Sequence, residues 1–185
     1  MATISKANRG PSAGPENRRA LLDAARAVFA TDGFAAPLSA VARRAGVGQG
    51  SLYRHFPDRT ALAIAIFDEN LTALETFVDR PESTLDDLLD RVIEQALTST
   101  ALIDLVMADA HDPRAVHLAD RLTAVVARLL AREQAAGRIG EHVGTADVIL
   151  AVSMLAGVLA RSDSADRPDV ARRAWALFHA AFTPR

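Results

Sequence analysis

Apolar residues between Glu16 and about Thr31 recur at intervals of three and four, at Leu21, Leu22, Ala25, Val28 and Phe29. That period predicts an amphipathic helix, closed by Thr31-Asp32-Gly33 with the glycine suited to a left-handed cap. In "PLSAVARRAG", Leu38, Val41, Ala42 and Ala45 share one face, predicting barely two turns of helix started by Pro37 and stopped at Gly46. A second short helix is predicted from Gly48 to about Phe56, with Leu52 and Phe56 inward and Val47 filling the turn. Two short helices joined by a tight glycine-containing turn form a helix-turn-helix pattern. Pro57-Asp58 resets the chain before a long helix to about Val78.

Beyond the break "DRPEST", apolar periodicity predicts a helix over 85–98 and a short helical piece through "LIDLVMADA", stopping near "HDPR". Further helices are predicted from Arg114 to Ala136 (ended by Gly137), over 145–161 with Thr145 as cap, and from Asp169 to about Phe182. The helix over 145–161 is apolar nearly all round, a pattern that demands cover on most sides. About nine helices result, with no internal repeat. The expected fold is all-α: residues 1–15 a disordered arm rich in Gly, Pro, Ser and Ala, 16–60 a three-helix helix-turn-helix unit, and 61–185 a larger helical domain.

Composition agrees with helices. Half of the 185 residues are apolar and only 5% aromatic, which suits close-packed helices better than sheets of β-branched and aromatic residues. There is no cysteine, hence no disulfide, thiolate zinc site or cysteine nucleophile, and a cytoplasmic location is expected. No window approaches the roughly 18–20 apolar residues of a membrane span, and the N-terminus lacks the apolar core of an export signal. No membrane partner is expected.

Charge is uneven. Residues 1–56 hold eight basic against three acidic residues, whereas the rest holds 13 basic against 20 acidic. A basic head on an acidic body suggests that the head alone meets a polyanion, although solvated charge can also be uneven by chance. The second helix of a helix-turn-helix can enter the DNA major groove, and Gln49, Ser51, Tyr53, Arg54 and His55 are the polar or aromatic residues its core does not need.

The stretch "PLSAVARRAGVGQGSLYRHFPDRTALAIAIF" resembles the signature of TetR-type (TetR/AcrR) transcriptional regulators over the N-terminal third of the chain. The matching positions are Val41-Ala42, Ala45-Gly46-Val47, Gly50-Ser51-Leu52-Tyr53 and His55-Phe56. Gly48 stands where serine is frequent, and Arg59 where the family has lysine. The resemblance implies that Gln49, Gly50 and Ser51 face base edges or the sugar-phosphate wall and that Tyr53 and His55 hydrogen-bond phosphates. Arg54, at the variable position, adds a phosphate or base contact; Arg59 binds phosphate; Ser39 caps its helix or contacts phosphate; Arg43 and Arg44 are backbone-contact candidates. Each has a plainer reading as well: Tyr53 a core aromatic, His55 a satisfied structural histidine, Ser51 a polar residue at a helix start, and the arginine pair a solvated face.

The resemblance further implies a homodimer packed through segments 145–161 and 169–182, a palindromic double-stranded operator, and release by a small-molecule effector of unknown identity, with no other cofactor. Leu74, Phe77, Leu102, Met107, Leu122, Val126 and Met154 are candidate pocket residues, with Asp104, Asp109, His111 or His117 to orient a ligand. All the apolar ones could instead be ordinary core. A metal at "DAHDPRAVH" is disfavoured because His111 and His117 do not form a close pair on one helix face. An enzyme using His55 or the Asp109/His111/Asp112 cluster is disfavoured because no set of nucleophile, base and orienting group has interpretable spacing. No catalytic or metal residue is expected.

Overall fold

A computed structural model describes residues 14–33, 35–98, 113–163 and 165–185. Most of the expected N-terminal arm and the helical piece through 102–110 lie outside the described residues. Among those described there are eight helices and no strand: α1 (Gly14–Asp32), α2 (Leu38–Arg44), α3 (Gln49–His55), α4 (Arg59–Val78), α5 (Leu85–Thr98), α6 (Pro113–Ala135), α7 (Thr145–Arg161) and α8 (Arg167–Phe182). The chain divides into two compact units, residues 1–62 and 63–185.

In the first unit α1 contacts α2 and α3, which also contact each other. Leu21, Leu22, Ala25, Val28 and Phe29 of α1, Val41 and Ala42 of α2, Leu52 of α3 and then Phe56 and Leu62 are all buried. All but Leu62 are positions that the apolar pattern selected; Leu38 and Ala45, selected with them, are half-buried. α1 starts earlier than its apolar pattern, so Gly14 and Pro15 are helical. Pro37 does not open α2 from its first turn: it is the N-cap, extended at φ −68°, ψ 139°. Ser39 therefore lies inside the first turn and caps nothing, and the cap makes no side-chain hydrogen bond.

In the second unit the main core joins Leu71, Leu74 and Val78 of α4, Leu85, Leu88 and Leu89 of α5, Leu118, Val125, Val126, Leu129 and Leu130 of α6, and Val148, Ala151 and Val152 of α7. Leu155 and Leu159 of α7 pack with Ala171 of α8 in a smaller cluster. A polar seam ties α4 to α6. Arg121 donates to Glu75 through Nε (2.8 Å) and Nη2 (2.7 Å), to Thr72 through Nη2, and to Asp68 through Nη1. Two turns further on, Arg128 pairs with Asp79 at 2.8 Å. Arg132 then donates to the carbonyls of Val78, Arg80 and Ser83, so acceptors that the end of α4 would leave orphaned are satisfied by a cation, the charge that the negative end of the helix dipole favours.

Helix starts depend on carboxylates two or three residues inside as much as on the residues before them. Thr84 and Asp87 cap α5 reciprocally: the Asp87 N–H donates to the Thr84 hydroxyl oxygen and the Thr84 N–H donates to the Asp87 carboxylate. Thr145 does not cap α7. Gly144 holds the cap position, and its N–H donates to Asp147 at 2.7 Å. α8 starts two residues earlier than expected because Pro168 sits in its first turn, where a missing N–H costs nothing.

α7 also departs from the demand for cover on most sides. One face is buried, but Leu150, Met154 and Val158, spaced by four, are 58%, 54% and 42% exposed, and Leu177 of α8 is 72% exposed. Among the described residues this stripe of α7 has no cover.

Candidate nucleic-acid interface

The turn between α2 and α3 is built by backbone hydrogen bonds. Gly46, at φ +67°, adopts the left-handed conformation that costs an L-residue about 1–2 kcal/mol. Its N–H donates to Arg43 O (3.2 Å) and the Val47 N–H reaches Ala42 O (3.0 Å), the pair of bonds that defines a Schellman end. The chain is thereby turned within Ala45–Gly48, and Val47 is half-buried in the bend. Gly48 then caps α3 without a side chain, in extended conformation, and its carbonyl accepts from Leu52 N at 3.1 Å.

Seven residues make α3, and Leu52 alone is buried, with Phe56 buried just beyond. Gln49, Gly50, Tyr53 and Arg54 are exposed; Ser51 and His55 are half-buried. Tyr53 is 52% exposed, which removes its reading as a core aromatic. Arg54 folds back so that its Nε–H donates to Gly50 O at 3.2 Å. The His55 ring lies 6.2 Å from that of Phe56, and the Arg18 guanidinium lies over the Phe56 ring, 5.6 Å from its centre. Ser39, Arg43 and Arg44 of α2 are exposed, and Arg59, half-buried, is the first residue of α4. Asp58 caps α4, accepting from Ala61 N at 2.6 Å.

These placements bring the sequence candidates together on one small unit: a helix that presents polar, uncharged and aromatic groups, flanked by arginines at the end of α2 and the start of α4. Such an array has the charge and polarity that suit a polyanion. Among the described residues no three His, Cys, Asp or Glu side chains group to hold a metal, and no helix is long and apolar enough to cross a membrane.

The candidate pocket residues are less coherent. Leu74 and Val126 are buried in the main core, with Phe77 and Leu122 half-buried against it. Met154 is exposed on α7. Leu102 and Met107 lie outside the described residues, as do Asp104, Asp109 and His111.

Two family models match the chain. "Bacterial regulatory proteins, tetR family" matches residues 21–66, which takes in α2, α3 and the glycine turn. "Transcriptional regulator SbtR-like, C-terminal domain" matches residues 80–180, more than half of the chain. The chain belongs to the TetR family. It is a DNA-binding regulator of transcription and not an enzyme. It is similar to the "HTH-type transcriptional repressor KstR" of Mycobacterium tuberculosis, at 27% identity across 94% of this chain and 84% of that protein. The "HTH-type transcriptional repressor LfrR" of Mycolicibacterium smegmatis is 40% identical over 43% of each chain. Among solved structures, a TetR transcriptional regulator from Streptomyces coelicolor superimposes with a TM-score of 0.67 at 27% identity, over 90% of this chain and 98% of the other.

Within the TetR pattern this chain's departures are local. Gly48 in place of serine removes a side-chain cap at a cost of only a few tenths of a kcal/mol. Arg59 in place of lysine keeps the charge and adds a planar fork. Sequence reasoning missed two features. Arg18 reaches the end of α3 from α1 through Phe56, and no spacing rule links residues 38 apart. The Arg121 seam was missed because its partners are 46 to 53 residues away; the only local trace is Asp68, Thr72 and Glu75, which recur at three and four along one face of α4.

Proposed function

We propose that the protein is a cytoplasmic repressor that binds a palindromic operator as a homodimer and leaves it when a small molecule occupies the second unit. The observation that carries this reading is the uncovered apolar stripe of Leu150, Met154 and Val158 on α7, with Leu177 on α8. A soluble chain does not leave four large apolar side chains of two neighbouring helices in water without a partner surface, and a second copy would bury them. Two-fold symmetry then spaces two α3 helices by about one turn of DNA, roughly 34–36 Å, or a multiple. The names of the relatives, both HTH-type repressors, support the sign of regulation.

The effector is an organic molecule without a metal or other cofactor, bound within the second unit. It releases DNA only if it favours the non-binding arrangement, since equal affinity for both shifts nothing. Sedimentation of the protein with an intact palindrome and with an isolated half-site tests the assembly. Two chains per palindrome, and affinity for the half-site at least a hundredfold weaker, are expected. One chain per palindrome with equal half-site affinity would overturn it. If the dimer binds and a broad panel of apolar small molecules leaves operator affinity unchanged, the second unit is a ligand-independent module.

A further inference from the structure

α3 carries two side chains able to hold positive charge, Arg54 and His55, and only Arg54 is on its exposed face. Its side chain is directed by a hydrogen bond from Nε–H to Gly50 O at 3.2 Å, which lays it back along the helix toward the N-terminal turn. In helix-turn-helix proteins that turn is the part of the second helix that meets base edges. A Cβ built at Gly50 meets no atom within 4 Å, Arg54 included, so the space over the first turn is open. With Nε already bonded, the two Nη groups remain as a parallel pair of donors. Guanine is the base that presents two acceptors, O6 and N7, side by side in the major groove, and an arginine fork on guanine is the commonest specific contact there.

We propose that Arg54 reads a guanine in each operator half-site, the Gly50 carbonyl holding it in place. The inference rests on the unit's role in DNA binding. It assigns a base, where the sequence left phosphate and base contact open for this residue. The neighbouring candidates have different chemistry: Gln49 matches adenine, with one donor and one acceptor, and Tyr53 and His55 have no guanidinium fork.

The test is selection of half-site sequences by the full-length protein, followed by anisotropy titrations of wild type, Arg54→Ala and Arg54→Lys against the selected operator and a series with each guanine replaced. Arg54 is exposed, so both variants fold. Wild type is expected to require at least one guanine per half-site, losing about tenfold or more in affinity when it is replaced. Arg54→Ala should lose that requirement at the same position and keep the others. Arg54→Lys should weaken it while keeping the wild-type salt dependence, because the charge stays and the planar fork does not. A uniform loss over all sequences, with a salt slope reduced by about one in Arg54→Ala, would identify a phosphate contact and overturn the assignment. So would tight sequence-specific binding with no guanine requirement. Wild type that binds no DNA at all would fail the underlying role of the unit, a result separable from either.

Discussion

α3 and the α4–α6 seam are both built around arginines, but they use them in opposite ways. On α3 and its flanks Arg43, Arg44 and Arg54 are exposed, and the bond that Arg54 makes to a backbone carbonyl orients its charge without neutralising it. In the seam Arg121 meets two carboxylates and a hydroxyl. Glu75 is held below its ordinary value of 4.5, chiefly by its hydrogen bond to Arg121 and against some desolvation, and the Arg121 guanidinium is correspondingly harder to deprotonate. A cation left unsatisfied on a surface is available to a partner, and one satisfied internally holds helices together. The difference lies in the neighbours, not in the residue type.

The comparison breaks most severely where α3 meets its core. Leu52 is fully buried, and Leu52→Ala is expected to destabilise the first unit by about 2–4 kcal/mol. Calorimetry should resolve a lowered transition for that unit, with operator binding lost in proportion to its unfolding. Gly46→Ala, at a positive φ, should cost about 1–2 kcal/mol and loosen the angle between α2 and α3, read by urea denaturation together with operator affinity. An unchanged midpoint would mean that the turn relaxes without strain.

Arg121→Ala tests the seam. The expected cost is roughly 1–2 kcal/mol for partly exposed, charge-assisted hydrogen bonds, seen in urea melts at pH 7. The sign with pH follows from the lowered Glu75 value: the increment is fully present above about 4.5 and is lost as pH falls through the lower folded value. Wild type should therefore lose more stability than Arg121→Ala between pH 5 and pH 3. Equal acid sensitivity would show that Glu75 is not coupled to Arg121. The smallest effect is expected for Tyr53→Phe. Tyr53 is exposed and its hydroxyl has no partner among the described residues, so stability should hold within about 0.5 kcal/mol. Operator affinity should fall about fivefold if the hydroxyl donates to a phosphate, and no change in affinity would remove Tyr53 from the contact set.

Much of the first unit could be read from the chain because its geometry is local. Gly46, Leu52 and Phe56 lie within eleven residues, and each obeys a rule of periodicity or capping that needs no distant partner. Where the local rule had two answers, the structure chose: Pro37 caps α2, so Ser39 cannot, and Gly144 with Asp147 starts α7 in place of Thr145. The second unit was legible as helices and much less as a site. Which residues Arg121 would find, and that Met154 would face outward while Val126 faced inward, depend on how helices dozens of residues apart pack. The all-apolar look of α7 pointed to burial, and one face of it is left open among the described residues.

The central claim is that the cations around α3 bind DNA phosphates while the arginines of the second unit do not. Operator titration at several salt concentrations tests it most directly. If Arg43, Arg44 and Arg59 each neutralise one phosphate on each of two chains, log K should fall linearly with log salt with a slope of about −5. The slope should become shallower in Arg43→Ala and remain unchanged in Arg128→Ala. A flat line for wild type, or a slope that responds to Arg128 and not to Arg43, would contradict the account.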